Sequence, residues 1–169
     1  LIWNDICVKY CIENTHESHK AFRALYTEFL RRNITQVSVR ILPGVQELLE
    51  ELERMDDVTL GVVTGNYLET GMEKIKRAEL DSTIFTANAW GTDGSVRSEL
   101  PPVAITKHGC GEQVVLVGDT VHDVTSGQSA GCRVIAVCTG SHDRATLAES
   151  DPELLLEDLS DTKAILHWI

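Results

Sequence analysis

The stretch VVLVGDTVHDV, residues 114–124, decides the fold. Its first five residues are apolar or small, which predicts a buried strand over residues 113–117. Asp119 follows that strand at once, and Asp123 comes one helical turn later, in a helix predicted over residues 122–130. Two carboxylates so close together are costly unless a positive charge lies near them. A hard cation such as Mg²⁺ removes that cost; alternatively, Asp119 caps the helix and Asp123 complements its positive N-terminal end.

The same alternation of strand and helix continues on both sides of this stretch. The strands are short, continuous apolar runs, as in a parallel sheet that helices cover on both faces. The sequence therefore predicts an α/β fold with a three-layer, Rossmann-like parallel sheet. Further strands are predicted over residues 58–66, 82–88, 133–137 and 153–156, and further helices over residues 67–78, 101–108, 143–149 and 161–168 and from Pro43 onward.

A second polar strand end lies earlier in the chain. The apolar run over residues 58–66 ends in Thr64, Gly65 and Asn66. In open parallel sheets, ligands bind outside the carboxyl ends of the strands. A threonine hydroxyl and the backbone N–H groups that follow it can hold an anion such as phosphate. Alternatively, the three residues only form the turn and cap the next helix.

Charge and composition limit the partners. The 169 residues carry a formal net charge of −11 and no basic cluster, which argues against nucleic acid and anionic membranes as partners. No apolar run is long enough to cross a bilayer, and the N-terminus has no signal-peptide pattern. Five cysteines without a secretion signal predict reduced thiols and a cytoplasmic location. The chain starts with Leu rather than Met, so we expect a fragment or a processed product.

Residues 1–33 are predicted to be helical and precede the first strand. Asn14 followed by Glu17 fits a capping box that would open a helix. Apolar residues recur on one face of that helix, which predicts that the face packs into a core. They are Phe22, Leu25, Tyr26, Phe29 and Leu30.

Taken together, the two strand ends carry a family resemblance. A strand that ends in Thr-Gly-Asn, followed later by one that ends in Gly-Asp-Thr-Val-His-Asp, resembles the haloacid dehalogenase-like hydrolase superfamily. The segments PGVQELLEEL, GVVTGN, VRSELPPVAI, GDTVHDV and AGCRVIAVCTGS are most similar to its phosphoglycolate-phosphatase-like bacterial branch. The resemblance implies that residues 41–169 form the α/β core and that residues 1–40 are a remnant of a helical cap.

The resemblance implies a role for each residue of the two strand ends. In this superfamily a nucleophilic Asp attacks a phosphoryl group, a second Asp two residues later acts as general acid and base, and Mg²⁺ screens the charge. Thr64 matches the residue that hydrogen-bonds the transferring phosphoryl group, and Gly65 and Asn66 complete the phosphate-binding loop. Asp119 matches the carboxylate ligand of Mg²⁺, and Asp123 matches the acidic partner that completes or supports the metal site.

A lysine or arginine usually holds nucleophile and phosphate together in this superfamily, because the transition state needs a fixed positive charge. Arg97 in VRSELPP matches this residue, since it lies just before a helix that begins with Pro, as that motif does. Lys107 is the alternative, although its position inside the predicted helix is typical of a solvated side chain. The implied parent activity is Mg²⁺-dependent hydrolysis of a small phosphate ester.

The nucleophile motif of the superfamily, Asp-x-Asp-Gly-Thr at the end of the first strand, has no match in the 169 residues. Asp56-Asp57 precedes a strand, and Asp93-Gly94 lies in a predicted turn. In the family's fold the missing strand lies between the two strands discussed above, so its loss would leave a slot of unpaired backbone groups. Three interpretations follow: an N-terminally truncated phosphatase, a slot filled by another segment or by a second copy in a homodimer, and a catalytically dead remnant that still binds phosphate, Mg²⁺ or a partner.

Three other functions compete with the phosphatase. Haloacid dehalogenases share the superfamily but work without a metal, so the intact pair of Asp119 and Asp123 favours a phosphatase. A non-catalytic binding or assembly module is supported by the missing nucleophile motif. A flavodoxin-like or receiver-type α/β domain is the third alternative. Receivers also use acidic residues with Mg²⁺, but they are shorter and explain neither the leading helices nor the VRSELPP segment.

Overall fold

The computed structural model describes residues 2–36, 39–109 and 113–169. Cys110 lies outside these residues, and the other four cysteines are free thiols. Within the described residues, no helix is both long enough and apolar enough to cross a membrane. The helices are α1 (Ile2–Tyr10), α2 (His16–Ile34), α3 (Val45–Glu53), α4 (Leu68–Arg77), α5 (Leu100–His108), α6 (Val121–Ser129), α7 (Arg144–Ala148) and α8 (Thr162–Trp168). The strands are β1 (Val115–Gly118), β2 (Arg133–Val137) and β3 (Leu154–Leu156).

The three strands form one parallel sheet in the order β1-β2-β3. The central strand β2 is buried on both faces, because Val134 and Ile135 point to opposite sides of it and both are fully buried. On one side Ile135 packs with residues of α3 and α8, and on the other Val134 packs with residues of α6 and α7. The predicted α/β fold with helices on both faces of a parallel sheet is therefore confirmed.

The predicted strand over residues 58–66 is wrong as a regular strand. This segment makes only two isolated parallel bridges, Leu60 with Phe85 and Val63 with Ala89. The strand predicted over residues 82–88 is likewise replaced at its start by a 3₁₀ turn, Ser82–Ile84. The reason is the same for both segments: a ladder needs a continuous neighbour, and in the described part of the chain each finds only the other.

The predicted slot between the two strand ends is open. Val58 and Leu60 pack against the same core cluster as Val115 of β1, yet no backbone bridge within the described residues joins the two segments. The β1 edge that faces away from β2 is therefore unpaired there. Val117, on this strand, leaves 43% of its surface exposed.

The N-terminal helices begin differently from the sequence-based expectation. The capping box of α2 is formed by Thr15 and Ser18, not by Asn14 and Glu17. The Thr15 Oγ1 accepts a hydrogen bond from the Ser18 N–H at 3.1 Å, so the helix starts one residue later than expected. Asn14 is engaged elsewhere, because its Oδ1 accepts from the Trp3 indole N–H at 2.6 Å.

The apolar face of α2 is only partly covered, contrary to its predicted role in a core. Phe22 and Tyr26 pack in an aromatic cluster with Tyr67, at ring-centroid distances of 6.2–6.4 Å. Leu25 and Phe29 leave 67% and 65% of their surfaces exposed. Helical periodicity identifies a face of the helix, but it does not tell how many neighbours cover that face.

Helix α2 packs on α4 through polar contacts as well. The Arg23 guanidinium donates to both carboxylate oxygens of Glu69, at 3.1 and 2.6 Å. The His19 Nε2 lies 3.0 Å from the Tyr67 hydroxyl. Because Tyr67 directly precedes α4 and follows Thr64-Gly65-Asn66, these contacts connect the leading helices to one of the two candidate strand ends.

Candidate functional site

The Thr64-Gly65-Asn66 loop is organised around the Thr64 hydroxyl. The Thr64 Oγ1 accepts two hydrogen bonds from Asn66, one from its backbone N–H at 3.2 Å and one from its side-chain amide at 2.7 Å. The Thr64 N–H donates to the Ala89 carbonyl at 3.0 Å, which fixes the loop to the neighbouring segment. With its oxygen occupied as an acceptor, the hydroxyl still has its proton to donate to a ligand.

The segment after Ala89 packs directly against this loop. The Gly91 N–H donates to the Asn66 carbonyl at 2.8 Å. A Cβ at Gly91 would lie only 2.1 Å from the Gly65 carbonyl oxygen, so any larger residue would push the two chains apart. Lys74 of α4 also contacts the loop, and its ammonium donates to the Asn66 Oδ1 at 2.8 Å. Burial lowers the pKa of Lys74 below its usual value.

Asp119 follows β1 directly and lies at the carboxyl end of this strand. None of the described residues donates a hydrogen bond to this carboxylate, although the Asp119 N–H itself donates to Asp123. The carboxylate packs against Gly140, where a Cβ would approach Asp119 Oδ2 to 1.9 Å. The Asp119 oxygens therefore remain available to a ligand.

Asp123 is almost fully buried, and its neighbours use both of its oxygens. Its Oδ2 accepts from the Thr120 hydroxyl at 2.7 Å and from the Thr120 and Asp119 N–H groups at 3.1 and 3.2 Å. Thr120 and Asp123 form the capping box of α6. Its Oδ1 accepts a hydrogen bond from the Arg97 guanidinium, with which it forms an ion pair. A Cβ at Gly118 would lie 2.2 Å from the Asp123 Cβ, so this glycine makes the close approach possible.

The two candidate cations, Arg97 and Lys107, occupy different places. Arg97 lies in a 3₁₀ turn, Arg97–Glu99, that packs on α6 and brings the guanidinium to Asp123. The Arg97 Nε is buried and has no acceptor among the described residues, and an unsatisfied donor of this kind is often found at functional sites. Lys107 pairs instead with Asp93 at 3.0 Å.

Asp93 joins Lys107 to the first strand end. Its Oδ2 accepts from the Trp90 N–H at 2.8 Å, next to the Gly91 that holds the Asn66 carbonyl. Burial by itself raises the pKa of Asp93, but the Trp90 N–H and the Lys107 ammonium outweigh it, so the pKa lies below its usual value. Lys107 therefore stabilises the turn behind the loop, and the described structure does not bring it to Asp123.

The residues present fit a magnesium ion held by a single protein carboxylate. Mg²⁺ usually binds one or two carboxylates and completes its shell with water and substrate phosphate oxygens. Asp119 offers free carboxylate oxygens, whereas the oxygens of Asp123 are already used. No group of three or more metal-binding side chains occurs among the described residues, so a fully protein-enclosed metal site is not formed there.

A small groove lies beside Asp119, along the open edge of β1. Its volume is about 160 Å³. Its lining consists of Leu42, Pro43, Val45, Val117, Gly118, Asp119, Val137, Thr139 and Leu159. A larger and shallower hollow of about 490 Å³ is lined by residues of α2, α4 and the segment after α4, and includes none of the candidate site residues.

Two residues that contact the first strand end were missed by the sequence-based expectation. Tyr67, the residue just before α4, and Lys74 lie seven positions apart with Gly71 between them, and so lie on the same side of the helix. A Cβ at Gly71 would lie 2.3 Å from the Trp90 ring, which shows how closely this face approaches the segment after Ala89. The sequence signal that could have identified them is their position after the Thr-Gly-Asn turn, since both lie on the same side of the helix that follows it.

Comparison with protein families gives one match over most of the chain. A family described as haloacid dehalogenase-like hydrolase matches residues 4–137. Among curated proteins, a pyrophosphatase PpaX of Oceanobacillus iheyensis is 31% identical over 159 residues, covering 90% of this chain and 73% of the relative. A phosphoglycolate phosphatase of Mannheimia succiniciproducens is 28% identical over 160 residues, covering 91% of this chain and 67% of the relative.

Solved structures agree on the fold. A hydrolase from Pseudomonas syringae superposes with a TM-score of 0.73 at 21% identity, covering 94% of this chain and 76% of that one. A haloacid dehalogenase-like family protein from Streptococcus pneumoniae superposes with a TM-score of 0.66 at 21% identity, covering 76% of this chain and 60% of that one. At these identities the likeness concerns the arrangement of strands and helices.

Proposed function

The chain belongs to the haloacid dehalogenase-like hydrolase family, and from that premise we propose that it forms the phosphate- and metal-binding part of a Mg²⁺-dependent phosphatase for a small phosphate ester. The names of its relatives, pyrophosphatase and phosphoglycolate phosphatase, support phosphate rather than halide chemistry. In this proposal Thr64, Gly65 and Asn66 hold the phosphoryl group, Asp119 holds Mg²⁺, and residues 1–40 form part of a cap over the core.

The observation that carries the proposal is the state of the Asp119 carboxylate. It lies at the carboxyl end of β1, where ligands of parallel sheets bind, and it accepts no hydrogen bond from the described residues. Behind it, the ion pair of Asp123 and Arg97 neutralises the second carboxylate and holds the start of α6. The Asp119 carboxylate therefore keeps a negative charge that no described residue compensates. Such a carboxylate can bind a hard metal ion, which can in turn bind phosphate oxygens.

The roles of the cations follow from their partners. Arg97 pairs with Asp123 and holds it in place, so it acts on the metal site through Asp123, and its unsatisfied Nε adds a donor beside that pair. Lys107 stabilises the turn at Asp93 and contributes to the phosphate loop only through that turn. When bound, Mg²⁺ would screen the charge of the phosphate ester and orient it.

Metal and phosphate binding to the 169-residue chain test this proposal directly. We expect titration calorimetry to show that inorganic phosphate binds more tightly when Mg²⁺ is present, and that Asp119→Asn removes this gain while Thr64→Val weakens phosphate binding itself. Asp81→Asn is the matched control, because Asp81 is exposed and lies away from the site. It precedes Phe85, which bridges to Leu60, whereas Thr64 follows the other bridge, between Val63 and Ala89. Equal Mg²⁺ dependence in Asp119→Asn and the parent chain would overturn the metal assignment.

The same chain is expected to bind without turnover. None of its 169 residues forms an Asp-x-Asp pair, so the family's covalent phosphoryl transfer lacks a nucleophile in this polypeptide. A chromogenic phosphomonoester with Mg²⁺ should therefore give no hydrolysis above background. Turnover that disappears in Asp119→Asn would contradict this expectation and would show that another residue serves as the nucleophile.

A binding or assembly module is the second candidate function, and the open edge of β1 favours it. The exposed edge and the apolar groove beside Val117 are features that pair with another strand. A stable dimer of the chain, with no affinity for phosphate or Mg²⁺, would support this function over the first.

A further inference from the structure

Three side chains, two of them in the candidate phosphate loop and one in α4, form a connected chain of hydrogen bonds. The Lys74 ammonium donates to the Asn66 Oδ1 at 2.8 Å. The Asn66 amide, on the other side of the same group, donates to the Thr64 Oγ1 at 2.7 Å. An amide side chain can rotate to exchange its oxygen and nitrogen, and a donor fixed at its oxygen removes that freedom. Lys74 therefore decides which end of Asn66 meets Thr64.

The orientation of Asn66 determines what the Thr64 hydroxyl can do. With the amide NH₂ facing it, the Thr64 oxygen accepts and its proton is directed away, toward a ligand. With the amide reversed, the Asn66 oxygen would accept the Thr64 proton, and the hydroxyl would be lost as a donor. The ligand that needs such a donor is an anion, and a phosphoryl oxygen is the anion considered above.

Lys74 also differs from Arg97 and Lys107 in its charge balance. Arg97 is paired with Asp123, and Lys107 with Asp93, so a carboxylate offsets each of them. The partner of Lys74 is a neutral amide, and no carboxylate lies within ion-pair distance of it among the described residues. Of these three cations, Lys74 alone brings an uncompensated positive charge to the Thr64 end of the site.

Resting on the proposed phosphate-binding function, we propose that Lys74 is a positioning residue of the phosphate loop: it holds the Asn66 amide so that the Thr64 hydroxyl donates to a phosphoryl oxygen, and it adds a positive charge behind that bond. It touches neither the phosphate nor the metal, and it acts through Asn66. The family resemblance assigned positive charge to Arg97 or Lys107, and neither contacts this loop's side chains directly.

The test compares phosphate binding in five variants of the 169-residue chain, with inorganic phosphate as the probe and Mg²⁺ present. Lys74→Met is expected to weaken binding about tenfold, the size of one charge-assisted hydrogen bond. Lys74→Arg should recover most of that loss, because arginine keeps the charge and the donors. Lys76→Met on the exposed side of the same helix is the control and should bind as the parent chain does. A double variant of Lys74→Met and Asn66→Ala should bind no more weakly than Asn66→Ala alone, because both changes break the same chain of hydrogen bonds to Thr64, which we call the Lys74–Asn66–Thr64 relay.

The pH profile separates positioning from a merely structural role. Burial places the pKa of Lys74 below the usual lysine value of 10.5, so the ammonium loses its proton at a lower pH than an exposed lysine does, and phosphate affinity in the parent chain should fall as the pH rises toward 10.5. The phosphate affinity of Lys74→Arg should stay constant over the same rise in pH, since arginine remains charged. This comparison uses two folded proteins and stands even where Lys74→Met does not fold.

The outcomes distinguish this inference from the proposed function. Phosphate binding that is equal in the parent chain, Lys74→Met and Lys76→Met would overturn the relay and leave the phosphate site intact. A parent chain that binds no phosphate would overturn both. The side-chain amide resonance of Asn66, followed by nitrogen NMR without phosphate, should shift in Lys74→Met and not in Lys76→Met; an unchanged resonance would also overturn the relay.

Discussion

Asp123 shows how one buried carboxylate can serve structure and site together. It closes the capping box of α6 with Thr120 and neutralises Arg97. Its side chain is only 6% exposed, whereas Arg97 is 35% exposed, so the pair is only partly shielded from water. Its energetic weight should therefore lie between those of a surface pair and a fully buried pair.

We predict that Asp123→Asn lowers the free energy of unfolding by about 1–3 kcal/mol, because the amide can still accept from Thr120 but leaves the Arg97 charge unpaired. Urea unfolding followed by circular dichroism measures the loss. Asp119→Asn is the control and should change stability by less than about 0.5 kcal/mol, since the described residues donate no hydrogen bond to that carboxylate. Equal losses in the two variants would argue against the ion pair.

At this scale the sequence predicts positions better than partners. The placement of Asp119 directly after a strand follows from the apolar run before it, and the structure agrees. The choice between Arg97 and Lys107 as the neighbour of Asp123 depends on how a 3₁₀ turn packs on α6, which no spacing reveals. The contact of Lys74 with Asn66 is equally hidden, because periodicity does not tell which polar side chain of α4 meets the loop.

Among the elements, β2 could be predicted to its exact limits and the segment over residues 58–66 could not. Strand β2 is apolar and has a neighbour on each side, so its pattern and its pairing agree. The earlier segment has the same apolar pattern, but within the described residues its only partner is the segment after Ser82–Ile84. An apolar sequence pattern indicates that a segment could lie in a sheet, but the segment forms a regular strand only where a neighbouring strand hydrogen-bonds to it.

The open edge of β1 makes an element-scale prediction about association. An exposed apolar edge strand pairs readily with another chain, and a charged side chain on that edge opposes such pairing. We predict that Val117→Lys reduces concentration-dependent association of the chain while changing its unfolding free energy by less than about 0.5 kcal/mol. Sedimentation velocity over a range of concentrations measures the association.

Val96→Lys is the matched control for this prediction, because Val96 is similarly exposed but lies in the segment before the Arg97–Glu99 turn, outside the sheet. It should associate as the parent chain does. The edge would be excluded as the contact if Val117→Lys associated as strongly as the parent, or if the parent stayed monomeric at every concentration.

For the whole molecule, the question is how the leading helices and the α/β core act together. The match to the family starts at residue 4, so both parts belong to the matched region. Their contact joins α2 to α4, through Arg23 with Glu69 and His19 with Tyr67. Tyr67 immediately follows the candidate phosphate loop, so we propose that the position of the leading helices and the shape of this loop are coupled.

A pH-dependent docking of the leading helices follows from His19. In the tautomer whose Nε2 carries no proton, the neutral imidazole accepts the Tyr67 hydroxyl proton, and protonation would remove that acceptor. Burial, together with the charges of Arg23 and His16, lowers the pKa of His19 below its usual 6.5. The unfolded or undocked chain therefore binds the proton more readily, so this contribution to stability is complete above about pH 6.5 and is lost as the pH falls toward the lower, folded-state value.

We expect the urea midpoint of the parent chain to fall between about pH 7.5 and about pH 5.5, and to fall less in His19→Gln, which cannot take up a proton. The difference between the two slopes isolates His19 from the carboxylates that titrate in the same range. His16→Gln, at an exposed position one turn earlier in α2, should keep nearly the full slope of the parent. Because Tyr67 lies between α2 and the phosphate loop, phosphate affinity should weaken over the same pH range in the parent more than in His19→Gln. Identical pH slopes in the parent and His19→Gln would mean that the histidine does not carry the docking, and the coupling of the leading helices to the loop would then rest on the other contacts of α2, chiefly the ion pair of Arg23 and Glu69 and the aromatic packing on Tyr67.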